Sequence, residues 1–133
     1  MDRRSARACA IKLVYEWEMG GEGGNDTLIG LLEIDPAENE AEFMTALFEG
    51  VKANYTKLDE KISEFLSEGW SLERLSKVDH AILLIAVYEL LYTDMGAGIV
   101  INEAVELANT YSTDKAGAFI NGVLGSIARR ADA

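Results

Sequence analysis

The amino-acid sequence predicts an all-α fold of about seven helices, and three observations carry that prediction. Apolar residues recur at helical spacing from one end of the chain to the other. Proline occurs once, and aromatic residues make up only 8% of the 133 residues, which argues against a β-sandwich or a disordered chain. Apolar residues make up 49% of the chain, enough for a core in one domain of ordinary size without disulfide staples.

The elements follow in order. Ala6, Ala10, Leu13, Val14 and Trp17 share a face, so the first helix is expected over Arg4 to Met19. The run Gly20-Gly21-Glu22-Gly23-Gly24 ends it, because glycine holds a helix poorly. A short helix is expected over Asp26 to Glu33. Asp35-Pro36-Ala37-Glu38 then reads as a start signal: an acceptor for open amides, a proline suited to the first turn, and a glutamate at capping-box spacing. Phe43, Met44, Leu47, Phe48 and Val51 form the stripe of that helix. Thr56 is expected to cap the next one, with Leu58, Ile62, Phe65 and Leu66 inward and Gly69 as its stop. Ser71 opens a short turn. Ser76, with Asp79 three residues on, starts a helix over Lys77 to Tyr92 that is apolar almost all round, as a buried central helix should be. Thr93 to Gly98 reads as a loop and Val100 to Tyr111 as a helix opened by Asn102. The last helix is capped by Thr113 or Asp114 and buries Phe119, Ile120, Val123, Leu124 and Ile127. The chain is expected to be one domain with helical halves over about 1–70 and 71–133.

Function classes narrow next. The one cysteine, Cys9, cannot form an internal disulfide and suits a reducing, cytoplasmic setting as a small apolar filler. No leader opens the chain and no apolar run approaches ~18 residues, so no membrane span is expected. His80 is the sole histidine, which rules out two-histidine metal helices; as a surface or hydrogen-bonded helix residue it needs no catalytic role. No serine stands in a nucleophile elbow, and the glycine cluster lacks the Lys-Ser/Thr ending of a phosphate loop. Neither an enzymatic activity nor a cofactor is expected. The formal charge of −11 is unfavourable for a nucleic-acid binder, but it is unevenly spread. Arg3, Arg4, Arg7 and Lys12 crowd one end and Lys115, Arg129 and Arg130 the other. From Glu33 to Val51 there are six acidic residues and no basic one, which is either a solvated face or a docking face for a basic protein.

Several segments carry a resemblance. Val100-Ile101-Asn102-Glu103-Ala104-Val105-Glu106-Leu107-Ala108 and Phe119-Ile120-Asn121-Gly122-Val123-Leu124-Gly125 lie on successive helices. Together with Val78-Asp79-His80-Ala81-Ile82-Leu83, Tyr88-Glu89-Leu90 and the start Arg3-Arg4-Ser5-Ala6-Arg7, they resemble the NusB family over essentially the whole chain. Physically, Asn121 inside a helix suggests a tertiary hydrogen bond, and Gly122 and Gly125 suit close approach by a helix or a ligand backbone. The resemblance implies two small helical subdomains and a role in processive antitermination on ribosomal RNA operons. It also implies a pairing with the small-subunit ribosomal protein NusE, binding of single-stranded boxA RNA, and a place in an RNA polymerase antitermination complex.

By the same resemblance, Arg3, Arg4, Arg7, Tyr15, Asp114 and Phe119 stand at RNA-contact positions. Arginine forks suit phosphates, and aromatic rings can stack on unpaired bases. Tyr15 and Phe119 can equally be core residues. Ser5 stands where some relatives have another arginine, His80 and Leu84 where arginine is frequent, Gly96 where proline is common and Gly125 where an acid is common. With so acidic a chain, RNA affinity without the partner is expected to be weak and salt-sensitive. Two alternatives stand beside this reading. One is a domain related to the NusB-like part of ribosomal RNA cytosine methyltransferases, although Met1 and the polar C-terminus suggest a complete chain. The other is a self-associating homodimer.

Overall fold

The most apolar stretch of the sequence lies at the centre of the molecule. The computed structural model describes residues 3–20, 39–66 and 75–131, and among these it has six helices and no strand. They are α1 (Arg3–Glu18), α2 (Asn39–Ala53), α3 (Tyr55–Glu64), α4 (Lys77–Tyr92), α5 (Ala97–Tyr111) and α6 (Asp114–Ala131). α4 packs against all five others. Its residues Ala81 to Val87 are all buried, so its apolar circumference has neighbours on every side. Around it one core forms, with Leu13 and Val14 from α1, Met44 and Val51 from α2, Leu58 and Ile62 from α3, and Val100, Leu107, Ile120 and Leu124 from α5 and α6.

α1 runs antiparallel to α4, because Arg7 meets Glu89 while Glu18 meets His80. α5 also returns antiparallel to α4, so α1 and α5 run parallel, meeting at Arg4 with Glu103 and at Lys12 with Tyr111. Two glycines permit close packing. A Cβ on Gly50 of α2 would run into the Tyr88 ring of α4, and one on Gly117 of α6 would meet the Asn109 side chain of α5. The chain leaves α1 through Gly20, whose φ of 93° is open to glycine and costly for other residues.

The caps settle several expectations. Ser76 Oγ accepts from the Asp79 amide at 3.1 Å, as its spacing predicts. Thr113, not Asp114, closes the start of α6: its Oγ1 accepts from the Ala116 amide at 3.0 Å. Thr56 is no cap. α3 already begins at Tyr55, and Asn54 at its edge donates to the Gly50 carbonyl, finishing α2 instead. Asn102 is likewise no cap, since α5 starts five residues earlier, where the Gly96 carbonyl accepts from the Val100 amide. Glycine near a helix start is tolerated, which is why the loop is shorter than its glycines implied. Asn121 is exposed and makes no hydrogen bond among the described residues, and Gly122 faces open space, so neither serves helix packing. The expected helix at 26–33, the Asp35-Pro36 start, most of the Gly20–Gly24 run, the Gly69 stop and the Ser71 turn lie outside the described residues.

Candidate nucleic-acid interface

The first two turns of α1 carry three arginines with three different environments. Arg3 is exposed, and its guanidinium lies 4.2 Å from the centre of the Phe43 ring on α2. Arg4 is half exposed and grips Glu103 of α5 with two hydrogen bonds, Nε to Oε2 at 2.7 Å and Nη2 to Oε1 at 3.3 Å. Arg7 is buried. Its Nε donates to both oxygens of Glu89, at 3.0 and 3.1 Å, and both side chains are almost sealed from solvent.

Arg7, which the resemblance places with Arg3 and Arg4 at RNA-contact positions, is turned into the protein. The helical period turns it toward α4, where Glu89 follows the apolar run Ala81 to Val87. Burial pushes the Glu89 carboxyl above its usual range, and the charge and hydrogen bonds of Arg7 offset this only in part. Magnitudes separate the two ion pairs. A partly exposed pair such as Arg4–Glu103 is worth roughly 0–1 kcal/mol. Breaking a buried pair such as Arg7–Glu89 costs about 3–5 kcal/mol.

Tyr15 sits three turns further along α1 and is 37% exposed. It lines an apolar cavity of about 180 Å³ together with Ala8, Ile11, Lys12, Val78 and Tyr111. Phe119 is half-buried against the core on α6, whose main neighbours are α5 and α4. Asp114 is the first residue of α6. The structure thus gathers Arg3, Arg4 and Tyr15 on α1, while Phe119 and Asp114 come from a separate helix.

A second cluster was not foreseen in the sequence. His80 is buried between two acids: Nδ1 lies 2.8 Å from Glu18 Oε2 on α1, and Nε2 lies 2.6 Å from Asp59 Oδ1 on α3. The Tyr55 hydroxyl donates to the same Glu18 oxygen at 2.8 Å, and the Trp17 ring meets Tyr55 edge-on at 5.0 Å. Burial alone would lower the His80 pKa, but the hydrogen bonds and charges of Asp59 and Glu18 override it and push it up to about 9. For Glu18, burial opposes ionisation, yet His80 and Tyr55 hold its carboxyl below the usual range. The signal for both clusters was a single polar residue, His80 or Glu89, within the apolar run of α4.

Elsewhere, Tyr55, Thr56, Asp59, Glu60, Ser63 and Glu64 line an open, acidic groove of about 650 Å³ along α3. Burial raises the pKa of the half-buried Cys9 thiol, with Lys12 opposing, which suits a filler more than a reactive group. No group of His, Cys, Asp or Glu among the described residues is arranged to hold a metal ion, and no described helix is long and apolar enough to cross a membrane.

The fold and this interface define an all-α domain wrapped around one central apolar helix, with arginines displayed on its first helix. The model of the NusB family matches residues 4–129, and the chain belongs to that family. The transcription antitermination protein NusB of Acetivibrio thermocellus is 41% identical over 131 residues, covering 97% of this chain and 90% of the relative. T. maritima NusB superposes with a TM-score of 0.83 at 34% identity, covering 97% of this chain and 92% of that one. A chain of the crystal structure of antitermination factors NusB and NusE in complex with dsRNA superposes with a TM-score of 0.86 at 27% identity, covering 96% of each. The relatives that this chain matches across nearly its whole length are transcription antitermination proteins.

Proposed function

We propose that this chain is a cytoplasmic RNA-binding adaptor for transcription antitermination. Together with a NusE-type small-subunit ribosomal protein it binds single-stranded boxA RNA of ribosomal RNA operons and joins an RNA polymerase antitermination complex. The observation that carries this reading is the near full-length correspondence with a protein solved together with NusE and RNA.

In this reading the candidate residues divide by role. Arg3 and Arg4 meet phosphates, Arg4 by exchanging Glu103 for RNA. Tyr15 and Phe119 offer ring faces to bases, and Asp114 marks the start of the helix that carries Phe119. Arg7 acts at one remove, holding α1 on α4 through Glu89 so that Arg3 and Arg4 are displayed. The charge of −11 makes the lone chain a poor RNA ligand, and a basic partner would supply the missing positive surface.

The test is a titration of boxA-type and scrambled single-stranded RNA, with and without the NusE-type protein, at two salt concentrations. Selective binding that requires the partner and weakens with salt is the expected result. Tight binding by the chain alone would refute the division of labour, and no selectivity even with the partner would refute the function.

A further inference from the structure

We infer that the cavity between Tyr15 and Tyr111 is a subsite for one unstacked nucleobase of a bound RNA strand, with the Lys12 ammonium on the adjoining phosphate. The inference deepens the function proposed above and rests on it.

The cavity is built from three helices, with Ala8, Ile11, Lys12 and Tyr15 from α1, Val78 from α4 and Tyr111 from α5. All three walls belong to regular elements, so the opening is preformed. Its interior is apolar, and two tyrosines border it while remaining 37% and 46% exposed. The Lys12 ammonium lies over the Tyr111 ring, 5.5 Å from its centre. An apolar cavity lined by two tyrosines and a single cation matches a nucleotide, which offers a planar π-face beside an anion.

The placement on α1 supports the same occupant. Arg4, Ala8, Ile11 and Tyr15 follow the helical period along one face, about 16 Å from end to end at 1.5 Å per residue. A strand whose phosphate is held by Arg4 can run along α1 and reach the slot. Charge also discriminates between occupants. In a chain of net charge −11, a cation lining an apolar cavity draws anions and repels a basic protein partner. Ala8 forms part of the lining with the smallest side chain of the set, and a larger residue there would fill the slot.

The experiment uses the full chain with the NusE-type protein and a short boxA-type RNA carrying 2-aminopurine at each position in turn. Stacking in the slot is expected to quench the fluorescence at one position. Tyr111→Leu should abolish that quench and weaken binding roughly 5- to 100-fold. Ala8→Leu should do the same with both tyrosines in place, and Tyr111→Phe, which keeps the ring, should restore the quench. Lys12→Ala should lower the slope of log affinity against log salt by about 0.7. Thermal unfolding of each variant reports whether the fold is intact. Undiminished RNA binding by Tyr111→Leu, alongside weakened binding by Arg3→Ala, overturns the subsite and leaves the function standing. Absence of selective RNA binding by the unaltered chain and its partner overturns both. A Tyr111→Leu variant that loses the protein partner in the absence of RNA assigns the slot to a protein side chain and overturns the inference.

Discussion

At one end of the α1–α4 interface, Arg7 faces Glu89; at the other, His80 lies between Glu18 and Asp59. Both sites bury charge, and both tie the same antiparallel pair of helices. They differ in the cation. Guanidinium keeps its proton at any pH a protein survives, whereas imidazole can lose one. They differ also in stoichiometry, since one pair is balanced and the other sets a single cation against two acids. Each His80 nitrogen faces a carboxylate oxygen, which only accepts when ionised, so both nitrogens carry protons. At one end the cation is fixed, and any response to pH comes through the Glu89 carboxyl that burial raises; at the other the cation itself titrates.

The largest expected effect breaks the permanent pair. Arg7→Met should destabilise the protein by about 3–5 kcal/mol in denaturant titrations, because it strands Glu89 in the core. Adding Glu89→Leu should recover most of that loss; a double variant as unstable as the single one would show that the pair does more than neutralise itself. Next comes the titratable end. His80 has a folded pKa of about 9, above the unfolded value of ~6.5, so its contribution is complete below pH ~6.5 and disappears as pH rises through 9. Stability should fall by on the order of 3 kcal/mol across that window. His80→Gln should cost about as much at neutral pH and little above pH ~10, flattening the slope. An unchanged slope in that variant would place the titration elsewhere. On the acid side Glu18 works in the opposite sense, and its contribution is lost as pH falls through its lowered pKa.

Smaller effects sharpen the contrast between buried and open polar contacts. Thr113→Ala should lower stability by about 1 kcal/mol in the same titration, through loss of the cap on α6. Arg4 with Glu103, which has the double-bonded geometry of a strong pair but stands half in solvent, should show a coupling of only ~0.2–1 kcal/mol in a double-mutant cycle. A coupling well above that range would mean that Arg4 is a second structural arginine and no candidate for RNA.

Helix positions and the core stripe were legible because apolar periodicity and α4's uniform hydrophobicity leave few alternatives. α1 and α4 lie within a residue of the expected bounds. The starts of α3 and α5 were not, since Asn54 and Gly96 occupy the helix edges with no side-chain cap at either, and the sequence shows polar candidates, Thr56 and Asn102, a little downstream. The arginines were legible as a cluster and illegible as individuals. Whether Arg7 faces water or Glu89 depends on a partner 82 positions away. The His80 network has the same character, since three helices contribute to it and no local pattern announces their meeting.

That distance has a consequence for the order of events during synthesis. α1 leaves the ribosome before the other described helices, yet Glu89 and Glu103, the acids that orient its arginines, are separated from them by 82 and 99 residues. Before α4 emerges, α1 has, among the described helices, α2 and the Tyr55 end of α3 to dock on. Its final seat is assembled late, from contacts of long sequence separation, which pay their loop-closure entropy before they return any stabilisation. A nascent chain stalled short of residue 89 would hold its basic helix without its anchor, so the arginines would reach their working arrangement only after Glu89 and Glu103 have been made.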